Sequence, residues 1–259
     1  VRPAARPRAS ARASRDTASS VPQEVYVKFD YLRLMQEESR DLAGFLADLP
    51  DSAWNSPTLC TGWRVREVVS HMAAGHNASL PAYLGVVLRC GGSVEKASEV
   101  LARRFAARHD PARILAAFRE GTSGRPKGPT ALIPRAELFT DHLVHHQDIR
   151  RPLGLPRRIP EARLLAALQS LGKLSGRVGS AARLRGLRLV ADDVPYRAGT
   201  GAEVRGPAEA LVMAVCGRAD AGADLHGEGA GLLRQRLAAE EAASGAQRTS
   251  TRREAGGVG

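Results

Sequence analysis

Five of the seven histidines fall in two short stretches: His71 and His76 in one, and His142, His145 and His146 in the run ELFTDHLVHHQDIRRPLG. If that run is helical, Asp141 and His145 stand at i and i+4 and lie one turn apart on one face. Asp148, three residues further on, continues the face. A carboxylate and an imidazole so placed can share one divalent cation, with a third ligand from a neighbouring helix. His71 is the candidate, because it precedes Met72 and follows Val68 by three, which turns it inward. His142 and His146 form a second i, i+4 pair on the same helix. Periodicity alone therefore leaves two readings open: a metal site, or hydrogen-bonded core histidines with Asp148 paired to an arginine.

The elements that must carry these residues read as helices. Apolar residues from Val25 to Leu49 recur on one helical face and stop at Pro50. A connector holding Trp54 and the stretch Pro57 to Trp63 leads into a second helix from about Arg64. Gly91-Gly92-Ser93 separates that helix from another over about 94–108. Asp110-Pro111 supplies an N-cap and a first-turn proline for a short helix towards Gly121. Pro134 opens the histidine-bearing helix, which ends before Pro152, and one more follows over about 160–175. After Gly179 the texture changes: Leu187 to Ala191 alternates as a strand, and Val194 to Val204 holds the turn 198–201, which reads as a hairpin. Apolar helices follow at Ala208 to Val215 and around Leu232 to Leu237. The expected organisation is an Arg/Ala-rich tail (1–22), a helical bundle (23–178), a small α+β domain (179–242) and a loose end (243–259).

Of the 259 residues, 43% are hydrophobic and only 4% aromatic, which excludes a wholly disordered chain and favours a mainly helical one with a Leu, Val and Ala core. No apolar run approaches the roughly 18 residues of a membrane helix. Cys60, Cys90 and Cys216 are far apart, odd in number and without a CxxC pair, so a disulfide scaffold and a Cys-rich zinc site are disfavoured and a reducing cytoplasm fits. Net charge is +11, but Arg2, Arg6, Arg8, Arg12 and Arg15 sit in one tail, and the other basic residues are mixed with acids. No basic stripe with aromatic platforms marks a nucleic-acid surface. Read alone, Cys60 is a small apolar residue, His76, His109 and His226 are ordinary polar or surface residues, and Trp54 and Trp63 are packing anchors.

Three segments bear on family. Trp54 and Pro57-Thr58-Leu59-Cys60-Thr61-Gly62-Trp63 through His71-Met72 resemble the second-helix entry of the mycothiol-dependent maleylpyruvate isomerase family, itself within the DinB-like metal-binding four-helix bundles. Asp141 to Gly154 resembles that family's later helix. Gly186 to Asp193, and Gly206-Pro207 through Gly217-Arg218, are similar to its α+β tail domain. The resemblance implies a DinB-like four-helix bundle followed by a small α+β domain, with a metal triad at His71, Asp141 and His145. Aspartate stands at position 141 where the familiar family member has glutamate. Asp148 then becomes an acceptor behind the ligands. The implied cofactors are a divalent ion, zinc by its donor set, and mycothiol as thiol cosubstrate; the implied partner is a small electrophile, isomerised or S-transferred. Arg205 and Arg218 are candidates to meet anionic groups if the tail domain closes over the site. Neither nucleic acid nor membrane is an expected partner. Such bundles often pair, which leaves a homodimer open. A non-catalytic metal-binding or stress-response protein of the same bundle is the alternative.

Overall fold

The computed structural model describes residues 28–174 and 180–256. The Arg-rich stretch 1–22 and the expected domain junction at 178/179 lie outside the described residues. The helical domain contains α1 (Tyr31–Ala47), α2 (Val65–Asn77), α3 (Leu80–Arg89), α4 (Val94–Arg108), α5 (Pro111–Thr122), α6 (Arg135–Arg150) and α7 (Glu161–Leu174). Asp30, Ser79, Ser93 and Asp110 cap their helices by accepting a backbone N–H of the first turn. Helix α1 packs on α6 and α5, and α2 packs on α5, α6 and α4, so α1, α2, α5 and α6 form the bundle and α4 flanks it. Leu42, Leu46, Trp54, Val68, Val69, Ile114 and Phe118 fill its centre.

One separation differs from the expected pattern. The helix expected to run from Arg64 to Gly91 breaks at Ala78, because Ser79 caps a new helix whose first turn contains Pro81. A proline is tolerated there and not in a helix interior.

Beyond α8 (Ser180–Leu184) come β1 (Leu187–Ala191), β2 (Arg197–Gly199) and β3 (Ala202–Gly206), then α9 (Ala208–Val215) and α10 (Ala230–Gly256). The sheet order is β2-β1-β3, with β2 antiparallel and β3 parallel to the central β1. The turn at 198–201 therefore does not close a hairpin between its own flanks. It passes over the start of β1, and a Cβ at Gly201 (φ +119°) would stand 2.1 Å from the Gly186 carbonyl oxygen. Glycine is required there on both counts. Helix α10 runs to Gly256, through most of the segment expected to be loose; its Ala, Glu, Gln and Arg content favours helix. Leu168, Leu171, Leu187, Leu211 and Phe139 join sheet, α9, α7 and α6 in a shared core. No described helix is long and apolar enough to cross a membrane.

A buried ionic cluster ties the bundle to the segment after α6. The Glu38 carboxylate, fully buried in α1, accepts from His146 Nδ1 (2.7 Å), from Arg163 Nη1 (3.0 Å) and from the Arg157 guanidinium. Burial alone would raise its pKa, but the His146 hydrogen bond and the Arg157 charge hold it near 2. The carboxylate's stabilising contribution is therefore present above its ordinary value of 4.5 and is lost as the pH falls towards 2. Glu38→Ala, which leaves the buried Arg157 guanidinium without a carboxylate partner while Arg163 keeps Asp41, should cost about 3–5 kcal/mol in urea denaturation at pH 7. The gap between wild type and variant should narrow towards pH 3; a constant gap would mean the charge is not what stabilises.

Candidate metal centre

Helix α6 is buried on every side over residues 142–149. No single face points inward, so both histidine pairs lie inside, and each polar side chain needs a partner in the interior. His145 lies between two carboxylates. Its Nδ1 stands 2.9 Å from Asp148 Oδ2, and its Nε2 faces Asp141 Oδ1 at 3.4 Å. The His71 ring, on α2, meets the His145 ring edge to face at 5.2 Å. One ligand atom from each of His71, Asp141 and His145 lies within 4.8 Å of the others. The structure thus brings together the three residues singled out in the sequence.

Asp148 is fully buried and anchored by Arg218, which donates through Nε to Oδ1 (2.9 Å) and through Nη2 to Oδ2 (2.6 Å). Burial opposes its charge, yet the Arg218 guanidinium holds its pKa well below the usual carboxylate range. An ionised Asp148 requires a proton on His145 Nδ1 and directs Nε2 towards Asp141 and His71. Burial also disfavours charge on His145, but Asp141 and Asp148 outweigh it and raise its pKa well above the ordinary value. Asp141, a half-exposed side chain, is lowered against its own desolvation by the His145 charge. His71 is pushed down to about 4 by burial and by the neighbouring His145.

His142, of the second i, i+4 pair, is engaged at both ring nitrogens. His142 Nδ1 meets Ser39 Oγ at 2.8 Å and its Nε2 meets His76 Nε2 at 3.2 Å. Burial lowers His142 to about 3 and His76 to about 4, so both are neutral. His76 is therefore a buried partner within the bundle and not a surface residue. Spacing could have found it, since His76 stands four residues after the inward Met72 and three after Ala73.

Three further expectations are revised. Cys60 Sγ stands 3.1 Å from Asp148 Oδ2 and 3.6 Å from His145 Nδ1, so it is a polar neighbour of the centre rather than an apolar filler. Cys60, His145 and Asp148 also form a group whose ligand atoms lie within 4.8 Å of one another. The connector carries the thiol there through a tight turn, in which Trp63 N–H donates to the Cys60 carbonyl (2.9 Å), and through Leu59 N–H, which donates to the Asp148 carbonyl (3.0 Å). Arg218 is drawn inward to Asp148, whereas Arg205 pairs with Asp192 and Glu203 and takes no part in the site. Trp54 is a core anchor, but Trp63 packs its ring 5.3 Å from that of His71.

The class defined by the fold is a helical bundle joined to a small α+β part, with two imidazoles and a carboxylate brought together from facing helices. Residues 35–140 match the family described as the mycothiol maleylpyruvate isomerase N-terminal domain. A crystal structure of a histidine-to-alanine mutant of the mycothiol-dependent maleylpyruvate isomerase aligns with a TM-score of 0.52 at 13% identity, covering 76% of this chain and 91% of that one. A second crystal structure of that isomerase gives 0.46 at 13%, covering 73% and 88%. The first likeness shows a shared fold over the part of the chain it covers. No curated protein matches the sequence.

Arg218→Met leaves the fully buried Asp148 carboxylate without its cation and should destabilise the protein by about 3–5 kcal/mol in urea denaturation. Adding Asp148→Asn should restore part of that loss, giving a coupling energy of at least about 1 kcal/mol. Additive effects would show that the two side chains do not depend on each other.

Proposed function

We propose that His71, Asp141 and His145 hold a divalent cation, zinc by the chemistry of the donors, and that the protein is a cytoplasmic mycothiol-dependent enzyme acting on a small electrophile. One observation carries the reading: three ligand atoms within 4.8 Å of one another, one of them on a histidine whose other nitrogen is engaged by a buried carboxylate. Two imidazoles and a carboxylate suit zinc, and three protein ligands leave room for a further one, as catalytic sites do. Aspartate is one methylene shorter than the familiar glutamate, and it ligates zinc equally well.

When bound, the cation would supply a thiol held as thiolate, the form that adds to an electrophilic carbon. The chain's own residues do the rest. Asp148, fixed by Arg218, keeps the Nδ1 proton on His145 and orients the ring. Trp63 packs against the His71 ring from the connector. The half-exposed Asp141 leaves the centre open to solvent on one side, where a large thiol can approach. Addition to a cis double bond, rotation and elimination gives isomerisation; retention of the adduct gives S-transfer.

Plasma mass spectrometry on the purified protein should find about one divalent ion per chain, lost in His71→Ala, Asp141→Ala and His145→Ala and retained in His142→Ala. Asp148→Asn should keep the ion but weaken its binding about 10–100-fold, because Asp148 positions His145 and does not ligate. No metal in folded wild type after reloading would end the enzyme reading. Metal without thiol-dependent turnover would leave a binding or sensing protein.

A further inference from the structure

The centre opens onto a cavity of about 160 Å³ between α2, α3, α4 and the start of α6, with His71 and Asp141 in its wall. The rest of the wall is mostly apolar: Met72, Tyr83, Leu101, Ile133 and Leu138 line it. Its carboxylates are Asp141 and, one helical turn earlier on α6, Glu137. Neither lysine nor arginine lines it among the described residues. Arg218 does not reach it, because that guanidinium is committed to both oxygens of Asp148 and to the Cys216 carbonyl.

We propose that this cavity takes an uncharged, largely apolar electrophile rather than a dicarboxylate, an inference that rests on the metal and thiol reading of the adjoining centre. A dicarboxylate could lay one carboxylate on the cation. Its second would enter the apolar part of the cavity, where no lysine or arginine lines the wall among the described residues and the two further imidazoles, His76 and His142, already meet each other. A desolvated anion without a cationic partner binds poorly. An ester, ketone or amide carries its polarity without that penalty and gains from contact with Met72, Leu101 and Leu138.

The test uses unreactive probes of matched shape, dimethyl succinate and succinate, titrated into the full metal-loaded chain at constant ionic strength and followed by ligand-observed NMR. The diester should saturate and bind about tenfold tighter than the dianion. Leu101→Trp, which fills the cavity from α4, should weaken the diester by a similar factor. Ser98→Lys, which adds a cation to the same wall, should strengthen succinate. Succinate binding as tightly as the diester, no binding of either probe, or diester binding unchanged in both variants would overturn the proposal. Metal content measured on the same preparations separates the two readings: an ion-free wild type defeats the metal–thiol reading whatever the ranking of the probes.

Discussion

The structure depends on the burial of α6 around its whole circumference. A helix that carries His142, His145, His146, Gln147 and Asp148 in sequence cannot turn all of them to water when 142–149 is enclosed. Each buried polar group left unpaired would cost on the order of 1–3 kcal/mol, so partners must come from every neighbouring element. Helix α1 supplies Glu38 to His146 and Ser39 to His142, α2 supplies His76 and His71, and the segment after α6 supplies Arg157 to Gln147. The bundle is organised around satisfying one polar helix.

The same constraint binds the two halves of the chain. Asp148 is answered by Arg218, seventy residues away in the α+β part. Gln147 and Arg151 both reach Glu209 on α9 (2.8 and 2.5 Å). These contacts converge on the C-terminal end of α6, within two turns of His145. The orientation of a histidine at the bundle's centre is thereby set by residues of the smaller domain. A helical bundle alone would lack the guanidinium that keeps Asp148 ionised. The α+β part thus belongs to the site even though it contributes none of the three candidate ligands.

Much of this was legible in the sequence. Spacing marked Asp141 with His145 and His142 with His146 alike, and it was the family resemblance that selected His71, Asp141 and His145 from among them. The choice between the two histidine pairs was not local: it turns on Asp148, Ser39 and His76, which reach α6 from one side or another only after folding. Cys60 misled because its partners lie 85 and 88 residues away. The break before α3 could have been read, since Ser79 and Pro81 form an ordinary helix start. The strand order could not, because nothing in the turn 198–201 says on which side of β1 the chain will land.

Why only one of the three α6 histidines faces a ligand set follows from where each ring's two nitrogens end. His146 is used at both ends, donating through Nδ1 to Glu38 and accepting at Nε2 from Arg150 (2.8 Å), which fixes a neutral tautomer. His142 is likewise used at both ends, by Ser39 and His76, in surroundings that disfavour charge. His145 has one end held by Asp148 and the other turned to a carboxylate and a second imidazole that can accept a cation in common. A site that collects positive charge between two acids, one of them locked by an arginine from another domain, has the electrostatics to hold a divalent ion. The two neighbouring histidines, with both nitrogens already engaged, do not.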